Sequence, residues 1–125
     1  MCRDSQEILK RCRCHGGRVR GFVRPRLLLQ LSKKPAHGYE LMEALGSEDF
    51  PTPDPSTLYR TLRQFEEEGL VHSTWDTGGG GPARRVYKLT DQGLKHLHAW
   101  AVNIRMTRER LTQFLTEYET RFEPV

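Results

Sequence analysis

Residues 54–70 read DPSTLYRTLRQFEEEGL, and both ends of a helix are written into the stretch. Asp54 is a good N-cap, and Pro55 suits the first helical position, where an N–H would have had no partner. Gly69 supplies a left-handed stop. At about 100° per residue, Leu58, Leu62 and Phe65 share one narrow stripe. Ser56, Arg60, Arg63, Gln64 and Glu67 lie opposite, with Thr57 at the margin. This polar side has a direction: hydroxyls and arginines come first, and Glu66, Glu67 and Glu68 fill the last turn. Solvation alone accounts for the polarity but not for that order. A helix that enters a nucleic-acid groove by its N-terminal half needs cations and hydroxyls in front and tolerates carboxylates only behind. Tyr59 sits beside the apolar stripe, so its ring suits the core edge while its hydroxyl suits a phosphate or a backbone group.

Upstream, Phe22–Ser32 is helical by pattern, with Leu27, Leu28 and Leu31 on one side and Pro25 tolerated in the first turn. KKPAHG (33–38) closes that helix, and Gly38–Leu45 carries Leu41, Met42 and Leu45 as a second short one. The loop GSEDFPTPDP (46–55) leads into the opening stretch. Downstream, LVHSTW (70–75) and RRVYKL (84–89) are short and rich in β-branched and aromatic residues, and the glycines of DTGGGGPA (76–83) exclude regular structure between them. These features predict a β-hairpin with a long tip. In Asp91–Phe122, a helix of roughly 48 Å, residues Leu94, Leu97, Ala101, Ile104, Arg108, Leu111, Leu115, Tyr118 and Phe122 alternate spacings of three and four. That is a heptad seam broken only by Arg108. The Leu94–Ala101 end is expected to pack on this chain's own helices, and the rest on a second copy.

Three short helices, a two-stranded hairpin and a long helix predict a mainly α fold with a β-hairpin wing: a winged helix-turn-helix with a dimerising tail. Residues 1–26 form a basic arm with a short helix over Asp4–Cys14, 27–90 the winged-helix unit, and 91–125 the dimerisation helix. Ser56, Thr57, Tyr59, Arg60, Arg63 and Gln64 are the candidate DNA-reading residues. Arg84, Arg85 and Lys88 are the candidates on the wing, where cations meet phosphates. Leu97, Ala101, Ile104, Leu111, Leu115 and Tyr118 are the candidate dimer contacts.

Charge placement supports a polyanionic partner. The first 26 residues hold eight arginines and lysines against two acids, whereas the other 99 hold twelve basic and fourteen acidic side chains. Such arms commonly neutralise phosphates, although a solubilising tail has the same composition. With 36% hydrophobic residues in a chain of 125, one domain with a modest core is expected. No apolar run approaches a membrane span and no secretory core is visible, so the chain is expected in the cytoplasm, off the membrane.

HGYELMEAL (37–45), PSTLYRTLRQFEEEGLV (55–71) and GGPARRVYKLTDQG (80–93) together resemble the signature stretches of the PadR family of transcriptional regulators, from about Leu27 to the end. The single C-terminal helix resembles the shorter subfamily. The resemblance implies a homodimer that binds an inverted repeat and represses transcription until a small molecule releases it. It implies that Thr57, Tyr59 and Arg63 lie in the recognition helix, Arg84 and Arg85 at the base of the wing, and Tyr87 in its second strand. The arm departs from the common pattern in being longer and more basic. Residues 2–41 resemble more particularly the poly-β-hydroxybutyrate-responsive PadR-type repressors. By the same resemblance, two copies of Trp100 would frame a slot for a flat or apolar effector, with plain core packing as the competing reading.

Cys12, Cys14 and His15, with Cys2 as a possible fourth, are the candidate zinc ligands. Their C-x-C spacing is tighter than the usual C-x₂₋₄-C, so no metal is expected. Cys12 then packs as a small apolar residue and Cys14 is a free thiol. No catalytic motif is present, so neither enzyme activity nor a cofactor is expected. Two rival readings stay open: a docking module for a protein or storage-granule surface, and a metal- or thiol-responsive sensor.

Overall fold

The structure, a computed structural model, describes residues 22–47, 50–78 and 80–122. The helix expected over Asp4–Cys14 and the group Cys2, Cys12, Cys14 and His15 lie outside these residues. In chain order the elements are helix α1 (Val23–Lys33), strand β1 (Ala36–His37), helices α2 (Gly38–Gly46) and α3 (Pro55–Glu67), strands β2 (Val71–Asp76) and β3 (Arg84–Leu89), and helix α4 (Asp91–Phe122). This is the winged helix-turn-helix with a long final helix that the sequence predicts.

Helix α3 begins and ends as its composition requires. Asp54 accepts a hydrogen bond from the Thr57 N–H at 2.7 Å, and Pro55 occupies the first turn. At the other end Gly69 adopts φ 78°. Its N–H donates to the Glu66 carbonyl at 3.1 Å and that of Leu70 to Phe65 at 2.8 Å. A residue with a Cβ would resist that left-handed turn.

The core draws Leu27, Leu28 and Leu31 from α1, Leu41 and Leu45 from α2, and Leu58, Leu62 and Phe65 from α3, closed by Ala36, Leu70, Val71 and Tyr87. Each fully buried leucine contributes roughly 1.5–3 kcal/mol of apolar transfer. Arg26, counted in the sequence with the basic arm, lies in α1 and is buried. It donates to the Leu45 carbonyl at 2.7 Å and the Pro51 carbonyl at 3.1 Å. It also lies over the Phe50 ring at 5.1 Å. One guanidinium thereby holds both the end of α2 and the loop that delivers the chain to α3.

The sheet has one more strand than the hairpin expected. Order is β1-β3-β2, all antiparallel, with Ala36 opposite Tyr87 and His37 opposite Val86. Two residues are too few to show a period of two, and they become a strand only because β3 offers a free edge.

Helix α4 rests on the body through its first turns. Leu97 and Trp100 pack partly against the core, and from Val102 to Phe122 every residue is exposed.

Candidate nucleic-acid interface

Helix α3 has three distinguishable sides beyond its buried stripe. Its front carries Ser56, Arg60 and Arg63, all exposed, with Thr57 half-buried at its edge. Among the described residues, neither arginine forms a hydrogen bond or salt bridge, so both guanidinium groups keep their full donor capacity. The Asp54 carboxyl is held below the usual carboxylate range by the Thr57 backbone N–H, with the Thr57 hydroxyl and the Arg60 charge adding to the effect. It therefore stays ionised as the cap that orients this turn.

Gln64 belongs to a different side. Arg24 on α1 donates to its Oε1 at 3.2 Å and to both Glu68 oxygens at 3.1 Å, while the guanidinium lies 4.8 Å from the centre of the Phe65 ring. That cluster ties α1 to the end of α3 and engages the Gln64 amide oxygen.

The third side meets the sheet. The Ser73 hydroxyl donates to Glu66 at 2.5 Å, so one glutamate of the acidic turn anchors the wing. Tyr59 is 46% exposed, and its ring lies over Gly38, the first residue of α2. A Cβ on Gly38 would fall 2.5 Å from a carbon of that ring. Tyr59 is therefore packed on one ring face and exposed elsewhere. It borders an open depression of about 280 Å³ with His37, Gly38, Tyr39, Arg84, Arg85 and Tyr87.

Strand alternation sorts the wing residues. Arg85 and Tyr87 share the side of β3 that looks toward α3. Arg84 lies at the far end opposite Asp76, near Tyr39. Lys88 stands on the other side of β3 with Lys33, Lys34 and Pro35, so the fold does not bring it to the α3 front.

Two contributors escaped the sequence reading. His37 caps α2: its N–H donates to Glu40 at 2.9 Å and its Nδ1 lies 2.6 Å from the same oxygen. Its Nε2 faces Asp76 Oδ2 at 3.4 Å, an electrostatic contact rather than a good hydrogen bond. The Glu40 three residues after His37 was the available signal, although capping-box searches look for Ser or Thr at the cap. Tyr39, 64% exposed, donates its hydroxyl to Glu43, which raises the Tyr39 pKa.

An apolar groove of about 620 Å³ runs between α1 and α4 past Phe22, Leu29, Phe50, Leu97, Trp100 and Ala101. A second hollow of about 1130 Å³ continues along Ile104, Leu111 and Leu115. Trp100 lines both. Leu97 and Ala101 are half-buried at the base. Ile104, Leu111, Leu115 and Tyr118 are 36 to 56% exposed. Among the described residues no group of three or more His, Cys, Asp or Glu could hold a metal ion, and no helix is long and apolar enough to cross a membrane.

With this geometry in view, comparison with known proteins is specific. Residues 27–99 match the model of the Transcriptional regulator PadR-like family. The chain is 31% identical over 93 residues to "Transcriptional regulator YqjI" of Escherichia coli (strain K12), covering 73% of this chain and 43% of that protein. It is 32% identical over 98 residues to "Probable transcriptional regulator Rv1176c" of Mycobacterium tuberculosis, covering 76% and 52%. The chain thus spans about half the length of the curated relatives it matches. Bacillus subtilis PadR, solved in complex with operator DNA, superposes with a TM-score of 0.60 at 25% identity, over 65% of this chain and 47% of that one.

Proposed function

The chain belongs to the Transcriptional regulator PadR-like family, and from that premise we propose that it is a homodimeric repressor that binds an inverted-repeat operator on double-stranded DNA. Its family regulates transcription and does not catalyse reactions. The observation that carries the reading is the front of α3, where Arg60 and Arg63 stand exposed and uncommitted behind a capped N-terminus. A positive helix end, two free cations and two hydroxyls suit base edges and phosphates of a major groove. Operator binding by the B. subtilis relative supports the same use here.

In this reading residues 27–90 read the DNA, the part of the arm 1–26 that precedes α1 adds phosphate contacts, and 91–125 pair two chains. The bare apolar face of α4 supports the pairing, since a stripe of Ile104, Leu111, Leu115, Tyr118 and Phe122 left in water is costly for a lone helix. The groove beside Trp100 supports a small apolar effector that loosens the complex.

Selection of bound fragments from a random duplex pool tests the proposal. The expected product is a palindrome whose half-sites lie about one helical turn apart. Recovery of no consensus, with affinity insensitive to salt, would point instead to protein or granule-surface docking.

A further inference from the structure

Trp75 is 62% exposed near the end of β2, where nothing in the core requires an indole. Its cross-strand partner is Arg85, whose guanidinium carbon lies 5.3 Å from the centre of the indole ring. Strand β1 reaches only as far as Val86, so this pair stands on the two-stranded part of the wing, beyond the sheet's support.

Its side of the wing is set by alternation. Trp75 shares a side with Val71, which is buried in the core, and with Ser73, which is bonded to Glu66 of α3. Arg85 shares a side with Tyr87, which is buried against the core. The pair therefore faces the trench between the wing and α3, next to the depression that Tyr59 and Arg85 border.

A guanidinium lying over an indole keeps its N–H donors pointing outward in its own plane, already oriented for phosphate oxygens. An indole also offers a flat apolar surface to a deoxyribose, which an arginine alone lacks. Both features are independent of base identity.

We propose that Trp75 is a DNA-contacting residue of the wing, holding the Arg85 guanidinium against a backbone phosphate beside the half-site and covering the adjoining sugar with its free edge. The proposal rests on the DNA-binding reading above and adds a contact that contributes affinity without base preference.

The test is titration of the full chain with a labelled random-sequence duplex at low salt. The expected result is that Trp75→Ala and Arg85→Ala each weaken binding by roughly fivefold. The double variant loses less than the product of the two, because the groups act as one unit. Trp75→Phe retains most of the affinity. The emission difference between the parent and Trp75→Phe, which isolates Trp75 from Trp100, falls on adding duplex. Trp75→Ala binding like a parent that itself binds duplex, or an emission difference unmoved by duplex, overturns the proposal while leaving the α3 assignment intact. A parent that binds no duplex at low salt sinks both readings.

Discussion

Tyr59 lies on the backbone of Gly38 so closely that a single added methyl group would stand 2.5 Å from its ring. The contact joins the first residue of α2 to the first half of α3, so a side chain at position 38 has to displace the Tyr59 ring. Gly38→Ala is expected to cost about 1–3 kcal/mol as an overpacked site and to weaken DNA binding by displacing Tyr59. Adding Tyr59→Ala to that variant should return part of the melting temperature, because the ring is what the methyl group strikes. Thermal melts of the two single variants and the double variant check this.

Arg26 holds two backbone carbonyls and lies over the Phe50 ring from a buried position. Arg26→Met keeps the volume and removes the donors. The expected loss is about 2–4 kcal/mol, since the Leu45 and Pro51 carbonyls are left without this partner. Urea denaturation followed by circular dichroism measures it.

Arg60→Ala and Arg63→Ala should each reduce preference for the selected operator over random duplex by about 1–3 kcal/mol. Gln64→Ala should change that preference little, because its amide is engaged by Arg24. Competition binding of the three variants separates the front of α3 from its α1 side.

Leu111→Glu or Leu115→Glu places a carboxylate on the exposed apolar face of α4. Either is expected to halve the sedimenting mass and to weaken operator affinity, while the circular dichroism of the winged-helix body persists. Analytical ultracentrifugation with a binding titration reads both effects.

The Asp54 carboxyl lies below its ordinary range in the folded chain because the Thr57 N–H stabilises the anion. A depressed folded pKa contributes stability above the unfolded carboxylate pKa of about 4, and that contribution is lost as pH falls through the folded value. Glu40, held down by the His37 N–H, and Asp76, held down by the Gly78 N–H, act in the same direction. The urea midpoint should therefore fall on acidification below about pH 5. Asp54→Asn, which keeps a capping oxygen, should flatten that fall.

Local signals made α3 legible in the sequence: Asp54, Pro55 and Gly69 act within a few residues of themselves, and the stripe of Leu58, Leu62 and Phe65 repeats at the helical period. What stayed hidden depends on contacts between residues distant in sequence. Ala36 and His37 become a strand through β3, about 50 residues later. Arg26 looked like one more cation of a basic arm, yet it is buried through carbonyls that only the folded chain brings near it. Gln64 sits on the polar side of the helical projection, but no projection of one helix contains Arg24. For Lys88 and Arg85 the period of two already carried the answer, since residues three apart on a strand face opposite ways.

From Leu94 to Phe122 helix α4 contains neither glycine nor proline, and it runs without interruption from the body into solvent. Such a rod has no hinge, so the compass bearing of its far apolar side is dictated by the bearing of Leu97 and Trp100 at its root. Inserting one residue near Met106 would swing that side by about 100°, whereas inserting seven would return it nearly to the original heading and lengthen the rod by about 10 Å. Register along α4 is therefore a dial for orientation that leaves the chemistry of every side chain untouched.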